Sequence, residues 1–233
     1  MKTVGAPDWR SNSCFAYPFS NDKWNRDRVS QLQRIVSMQT TPKERAAGLV
    51  IGSGGLPYIL ARIGVSKLVV ADLHASVIAS TLSRVSQLAD HTNWWSYNAA
   101  VARSIDDERD QGRFRGEVRR AREVGLMASY ALTREGFSTT DVQGVHGNIV
   151  RTAPDIASEF DGAGTELTFI NVTNAAHYSA GKCAPKELGR QVLWQAISTL
   201  PLAEDLIIID SSADSLTPRV YSPEGYLAGR AIE

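Results

Sequence analysis

Two cysteines in 233 residues, Cys14 and Cys183, are too few for a disulfide framework, which points to a reducing compartment. No apolar run approaches the roughly 18 residues of a membrane-spanning helix. The opening Met1-Lys-Thr-Val-Gly-Ala-Pro-Asp8 has no signal-peptide core. A cytoplasmic protein is the expectation. Net charge is also absent: Lys+Arg and Asp+Glu are 25 each. That balance favours neither nucleic acid nor an anionic membrane as partner. Neither cysteine stands at metal-ligand spacing from any histidine, so no metal is assigned. There is no Gly-x-Ser-x-Gly, and a hydrolase triad has nothing to start from. With 43% apolar residues, no internal repeat and no domain-sized linker, the expectation is one domain over residues 1–233.

What is present is organised around Gly48-Leu-Val-Ile-Gly52-Ser-Gly54-Gly55-Leu56-Pro57, followed 20 residues after Gly52 by Asp72. An apolar run enters a glycine turn. A helix-compatible segment over 58–63 follows, and then a second apolar run, 67–71, that ends on the acid. This is the form of a mononucleotide-binding strand–helix–strand half. The glycines let the backbone approach a ligand, and the acid can take both hydroxyls of a ribose.

Ahead of that core, residues 1–22 carry Trp9, Phe15, Tyr17 and Phe19 in an irregular setting, and the spacing predicts a helix over 23–39. Strands are expected at 46–52 and 67–72, with a helix over 76–89. Residues 91–140 interrupt the alternation with Trp94-Trp95 and a charged segment. Between Asp106 and Glu123 it holds six acids and six arginines of alternating sign. That reads as a solvated helix with i,i+4 pairs or a helical excursion rather than a single-signed nucleic-acid stripe. A further helix is expected over 121–134. Strands at 142–145, 166–172 and 205–210 and a helix over 186–200 resume the pattern, and the last 23 residues have room for one edge strand. The fold class expected is α/β: a three-layer Rossmann-like sandwich with a mainly parallel sheet in the order 3-2-1-4-5, an N-terminal helical cap over 1–42 and a helical insertion over 91–140.

The glycine turn narrows the ligand. A dinucleotide turn places a third glycine where this chain has Pro57, which lacks a donor and suits a first helical turn. That weakens a pyrophosphate reading. Gly52-Ser53-Gly54-Gly55 with Asp72 resembles motif I and the acidic strand-two end of class I S-adenosylmethionine (SAM)-dependent methyltransferases. In that family the third strand ends on a residue that holds the adenine amine. The matching stretch here is Gly147-Asn148-Ile149, with Asn148 where Asp is commoner. The fourth strand ends on methionine-binding or catalytic residues, and here it reads Asn171-Val-Thr-Asn174-Ala-Ala-His177-Tyr178. The likeness runs over residues 46–212, interrupted by 91–140. It implies SAM as cofactor, held by Gly52, Ser53, Gly54, Gly55, Asp72, Leu73, Asn148, Ile149 and Asn171. Alkyl transfer from a sulfonium is an in-line displacement that needs alignment and at most a base. In that chemistry Asn171 binds an amine, Tyr178 faces the sulfonium through cation–π contact, and His177 is the base.

A finer likeness runs from Gly52 to Pro57, which is similar to the Gly-Ser-Gly-Pro-Leu-Pro turn of nicotianamine synthases. Those enzymes transfer the 3-amino-3-carboxypropyl arm of SAM, and azetidine-2-carboxylate synthases close that arm on its own amine. The leading expectation is a methyltransferase acting on a small molecule. The alternatives are a SAM-consuming enzyme that uses the other arm and releases methylthioadenosine, and a Rossmann-like binding protein without turnover. Outside the core motifs, His74 borders the expected adenosine pocket, His146 reads as a core histidine, and Trp24, Trp94 and Trp95 read as core or pocket walls. Asp210-Ser211-Ser212 ends the fifth strand within reach of a substrate.

Overall fold

In the computed structural model, residues 26–51, 64–106, 108–123, 125, 130–161, 164–172, 175, 186–211 and 218–232 are described. Their elements are α1 (Arg26–Ser37), β1 (Ala46–Ile51), β2 (Lys67–Asp72), α2 (Ala75–Asp90), α3 (Trp94–Arg103), α4 (Glu108–Glu123), α5 (Tyr130–Ser138), β3 (Asp141–His146), α6 (Ile149–Asp161), β4 (Glu166–Asn171), α7 (Lys186–Ile197), β5 (Leu202–Ser211), β6 (Pro218–Tyr221) and α8 (Pro223–Ala228). The six strands form one sheet in the order β3-β2-β1-β4-β5-β6. Every neighbouring pair is parallel except β5 with β6. The expected order 3-2-1-4-5 is present, and the C-terminal residues add a single antiparallel edge strand.

The layers follow from side-chain alternation. In β1, Ala46 and Val50 face one apolar core and Ala47 and Leu49 the other; in β5 Ile207 and Ile209 oppose Leu206 and Ile208 in the same way. The first core is closed by α1 through Val29, Leu32 and Ile35, and by Leu88, Trp94, Tyr97, Val101, Phe114, Tyr130 and Phe137 of α2 to α5. The second is closed by α6, α7 and α8 through Ile156, Phe160, Leu193, Ile197 and Tyr226. The central strands are apolar on both faces because both are covered. Each such side chain taken fully out of water contributes about 1.5–3 kcal/mol.

Residues 91–140 are the expected helical excursion, but their internal plan differs. Asn93 caps α3, its Oδ1 accepting from Trp95 N and Ser96 N at 3.0 Å each. The helix expected over 121–134 is two helices. Gly125 adopts φ +81° just past α4, a backbone that favours glycine and does not continue a helix. On α4 the charges are sorted: Glu117 turns inward and accepts from Arg84 Nη1 of α2 at 2.7 Å, and Asp110 holds Arg113 at 2.8 Å. Among the described residues the helix thus carries a buried bridge to another helix and an i,i+3 pair. In α7 Leu188 is exposed, while Leu193, Ala196 and Ile197 are buried.

Candidate functional site

The C-terminal ends of β3, β2, β1 and β4 stand side by side, and the parallel register fixes their relative heights. Ile51 pairs with Ala71, so Asp72 stands one residue beyond the end of β1. Asp72 pairs with His146 of β3. Asn171 pairs with Val50 on one side and Ile209 on the other. Chain connections reverse direction between β1 and β4, and ligands of open α/β sheets bind in the crevice at that switch point.

Asp72 is half-buried. Its Oδ1 accepts from His74 N at 2.7 Å, a turn that carries the chain into α2. Burial raises its pKa; the His74 N–H and the nearby His74 and His146 rings oppose the rise. Leu73 beside it is 44% exposed, a large apolar side chain left in water at the strand end. His146 is exposed rather than a core residue, because β3 is the sheet edge; its Nε2 lies 3.1 Å from Leu73 O. His74 stands at the cap position of α2, and its side chain makes no cap bond.

Gly147 N donates to Asp72 O at 2.9 Å and so ties the ends of β2 and β3 together. Its φ is +147°, and a Cβ there would meet Thr152 Cγ2 at 2.5 Å. Asn148 then starts α6: its Oδ1 accepts from Val150 N at 2.9 Å and its carbonyl from Thr152 N at 2.9 Å. This is a helix N-cap, and it leaves the second lone pair of Oδ1 and the amide N–H2 as the groups that can meet a ligand. Ile149 is buried in the second core with Ala153, Ile156 and Phe160. That i, i+4, i+7, i+11 stripe and the Asn148 cap were the available signals for α6, which the sequence reading left unassigned. Pro154 sits in its second turn, a residue type that removes a helical hydrogen bond.

Asn171 is 1% exposed and central in the sheet. Gly52, Ser53, Gly54, Gly55, His177 and Tyr178 lie outside the described residues, as do Trp24, Ser212, Cys14 and Cys183. Asp210 is 2% exposed. Its Oδ2 lies 3.8 Å from Arg190 Nη2, and the Arg190 guanidinium sits 5.6 Å from the Tyr221 ring and 5.4 Å from the Tyr226 ring. Burial, and then the Asp210 carboxylate, raise the pKa of the Tyr226 phenol. Asp210 thus belongs to a buried cluster joining β5, α7 and α8. The Trp94-Trp95 pair divides: Trp94 is core, 6.1 Å from the Tyr130 ring, and Trp95 is 63% exposed.

A groove of about 650 Å³ between α2 and α5 is lined by Val85, Leu88, Ala131 and Phe137 among others. It lies along the second half of α2, away from the end that follows Asp72. No helix among the described residues is long and apolar enough to cross a membrane.

No protein-family profile matches the chain, and no curated protein matches it. Among solved structures, the rRNA methyltransferase AviRa from Streptomyces viridochromogenes aligns with 87% of this chain and 81% of its own, at 9% identity and a TM-score of 0.47. PKMT2 from Rickettsia typhi, solved in complex with AdoHcy, aligns with 84% of this chain and 25% of its own, at 10% identity and a TM-score of 0.37. The reading of the site rests on this chain's own strand ends.

Proposed function

We propose that this chain is a SAM-dependent transferase that binds SAM across the ends of β2, β3, β1 and β4 and passes its methyl group to a small acceptor. The observation that carries the reading is Asp72: a partly desolvated carboxylate, one register step beyond the strand that leads to Gly52, with one oxygen accepting from His74 N and the other clear of any hydrogen bond to a described residue. A carboxylate in that place accepts two vicinal hydroxyls. Leu73 offers an apolar edge to an adenine, and Asn148 offers an acceptor lone pair and a donor to the adenine rim. Asn171 closes the other side of the switch point. The set fits an adenosine bearing a charged arm, and Pro57 in place of a helix glycine sets it apart from a pyrophosphate site. When bound, SAM supplies an electrophilic carbon next to a sulfonium. The protein's part is to orient it, exclude water and take up a proton, the last a role for His177.

A second reading is supported by the Gly52-Ser-Gly-Gly-Leu-Pro57 run and by the short C-terminal end of the sheet, β6 and α8. It keeps the site but directs attack to the carbon of the aminocarboxypropyl arm. The two differ in by-product. Incubation with SAM and mass spectrometry of the products separates them: S-adenosylhomocysteine formed only with an added acceptor supports methyl transfer. Methylthioadenosine without an acceptor sinks that reading. If SAM, NAD and ATP all leave the protein without a calorimetric signal, the binding site itself is misassigned.

A further inference from the structure

The charges that alternate along 106–123 do not alternate on the surface. Glu117 is drawn inward by Arg84, and Asp110 is held by Arg113. Arg115, Arg119 and Arg122 are exposed, and among the described residues none has an ion-pair partner. They stand at i, i+4 and i+7 of α4, within about 60° of one another around the axis and about 10 Å apart end to end at 1.5 Å per residue. Of the exposed acids on this helix, Glu108 is seven residues before Arg115, and Glu123 already has a partner of its own. The result is a flank of three free guanidiniums.

A second observation lies next to it. Helix α3 packs on α4, and its Trp95 is 63% exposed. The adjoining Trp94 touches Tyr130, the first residue of α5, and the chain covers the distance from the end of α4 to that residue in seven steps. The exposed indole thus stands on the helix that precedes α4 in the chain and packs on it. Helix α4 buries its own apolar side, Phe114 and Ala121, in the core. It has no apolar face to lay into a bilayer. An acidic peptide would use the arginines and leave the indole idle. Guanidiniums that take phosphates and an exposed aromatic on which a base stacks are the two parts that single-stranded nucleic acid needs.

We propose that the Arg115, Arg119 and Arg122 flank of α4, with Trp95, is a docking surface for single-stranded nucleic acid. The three arginines contact successive phosphates and Trp95 stacks on a base. This does not rest on the cofactor reading, because binding to the surface requires no SAM.

The test is fluorescence anisotropy of the full chain with a labelled single-stranded RNA of about 12 nucleotides, within the range of common site sizes, over a series of salt concentrations. Binding that weakens with salt is expected. The triple variant Arg115→Gln/Arg119→Gln/Arg122→Gln should flatten the slope of log K against log salt by about 2, at roughly 0.7 per phosphate lost. Trp95→Ala should weaken binding roughly 5- to 150-fold with the slope retained. All four positions are exposed, so melting temperatures should be unchanged. No binding by the unmodified chain, a slope unmoved by the triple variant, or equal competition by polyglutamate or by anionic phosphatidylserine vesicles would each overturn the proposal.

Discussion

Two carboxylates stand at the ends of β2 and β5, with β1 and β4 between them, and the fold treats them in opposite ways. Asp72 on β2 is half-buried, keeps one oxygen clear of any hydrogen bond to a described residue, and has a raised pKa because burial disfavours its charge. Asp210 on β5 is enclosed with Arg190, Tyr221 and Tyr226. The first is a carboxyl group whose charged form burial disfavours; the second belongs to a cluster that ties the C-terminal helix α8 to the sheet. A residue whose charge is unfavourable for folding, held at a strand end beside a switch point, marks a site better than a buried ion pair does.

The largest effect should come from the structural member. Asp210→Ala leaves the Arg190 charge buried without its carboxylate and should lower unfolding free energy by about 3 kcal/mol, the lower end for breaking a buried pair. Urea denaturation reads this directly, and SAM affinity of the folded fraction should hold. Asp72→Ala should do the reverse. Two charge-assisted hydrogen bonds at about 1.5 kcal/mol or more each make SAM binding roughly 100-fold weaker, while stability stays level or rises. An Asp72→Ala protein that unfolds like Asp210→Ala would erase the contrast.

A smaller effect is expected at Asn148. Replacing it by Ala removes the cap of α6, about 1 kcal/mol, and should weaken SAM binding by less than Asp72→Ala does. The smallest effect is the pH profile. The folded pKa of Asp72 lies above the unfolded value of about 4, so the folded state holds this proton more tightly. Stability therefore declines as pH rises from about 4 through the folded pKa and is level above it. SAM affinity moves the other way, falling as acid protonates the group that accepts the ribose hydroxyls. In Asp72→Asn both slopes should vanish.

How much of this was legible depended on whether neighbours or distant elements decided the structure. Strand β2 was bounded correctly because its apolar run is buried on both faces and stops at a charge. Helix α2 was found from Val77, Ile78 and Leu88 at helical spacing. Asp72 was placed at the end of β2 because the apolar run stops there, while the glycine run after β1 lies outside the described residues. The readings that failed depended on tertiary context. His146 looked like core, but it lies on an edge strand, and only the sheet order reveals that. The burial of Asp210 was likewise set by tertiary context, through Arg190 and Tyr226, 20 residues before it and 16 after. The sign alternation of 106–123 looked self-neutralising. Burial of Glu117 against Arg84, a residue of another helix, is what leaves the arginines on one flank.

The most direct test of the central claim is titration calorimetry of the wild-type chain and Asp72→Ala with SAM, with NAD and ATP as comparison ligands. SAM should bind the wild-type chain at one site, more tightly than NAD or ATP, and Asp72→Ala should lose roughly 100-fold of that affinity while melting no lower than wild type. SAM binding unchanged in Asp72→Ala, or NAD preferred over SAM, would contradict the account.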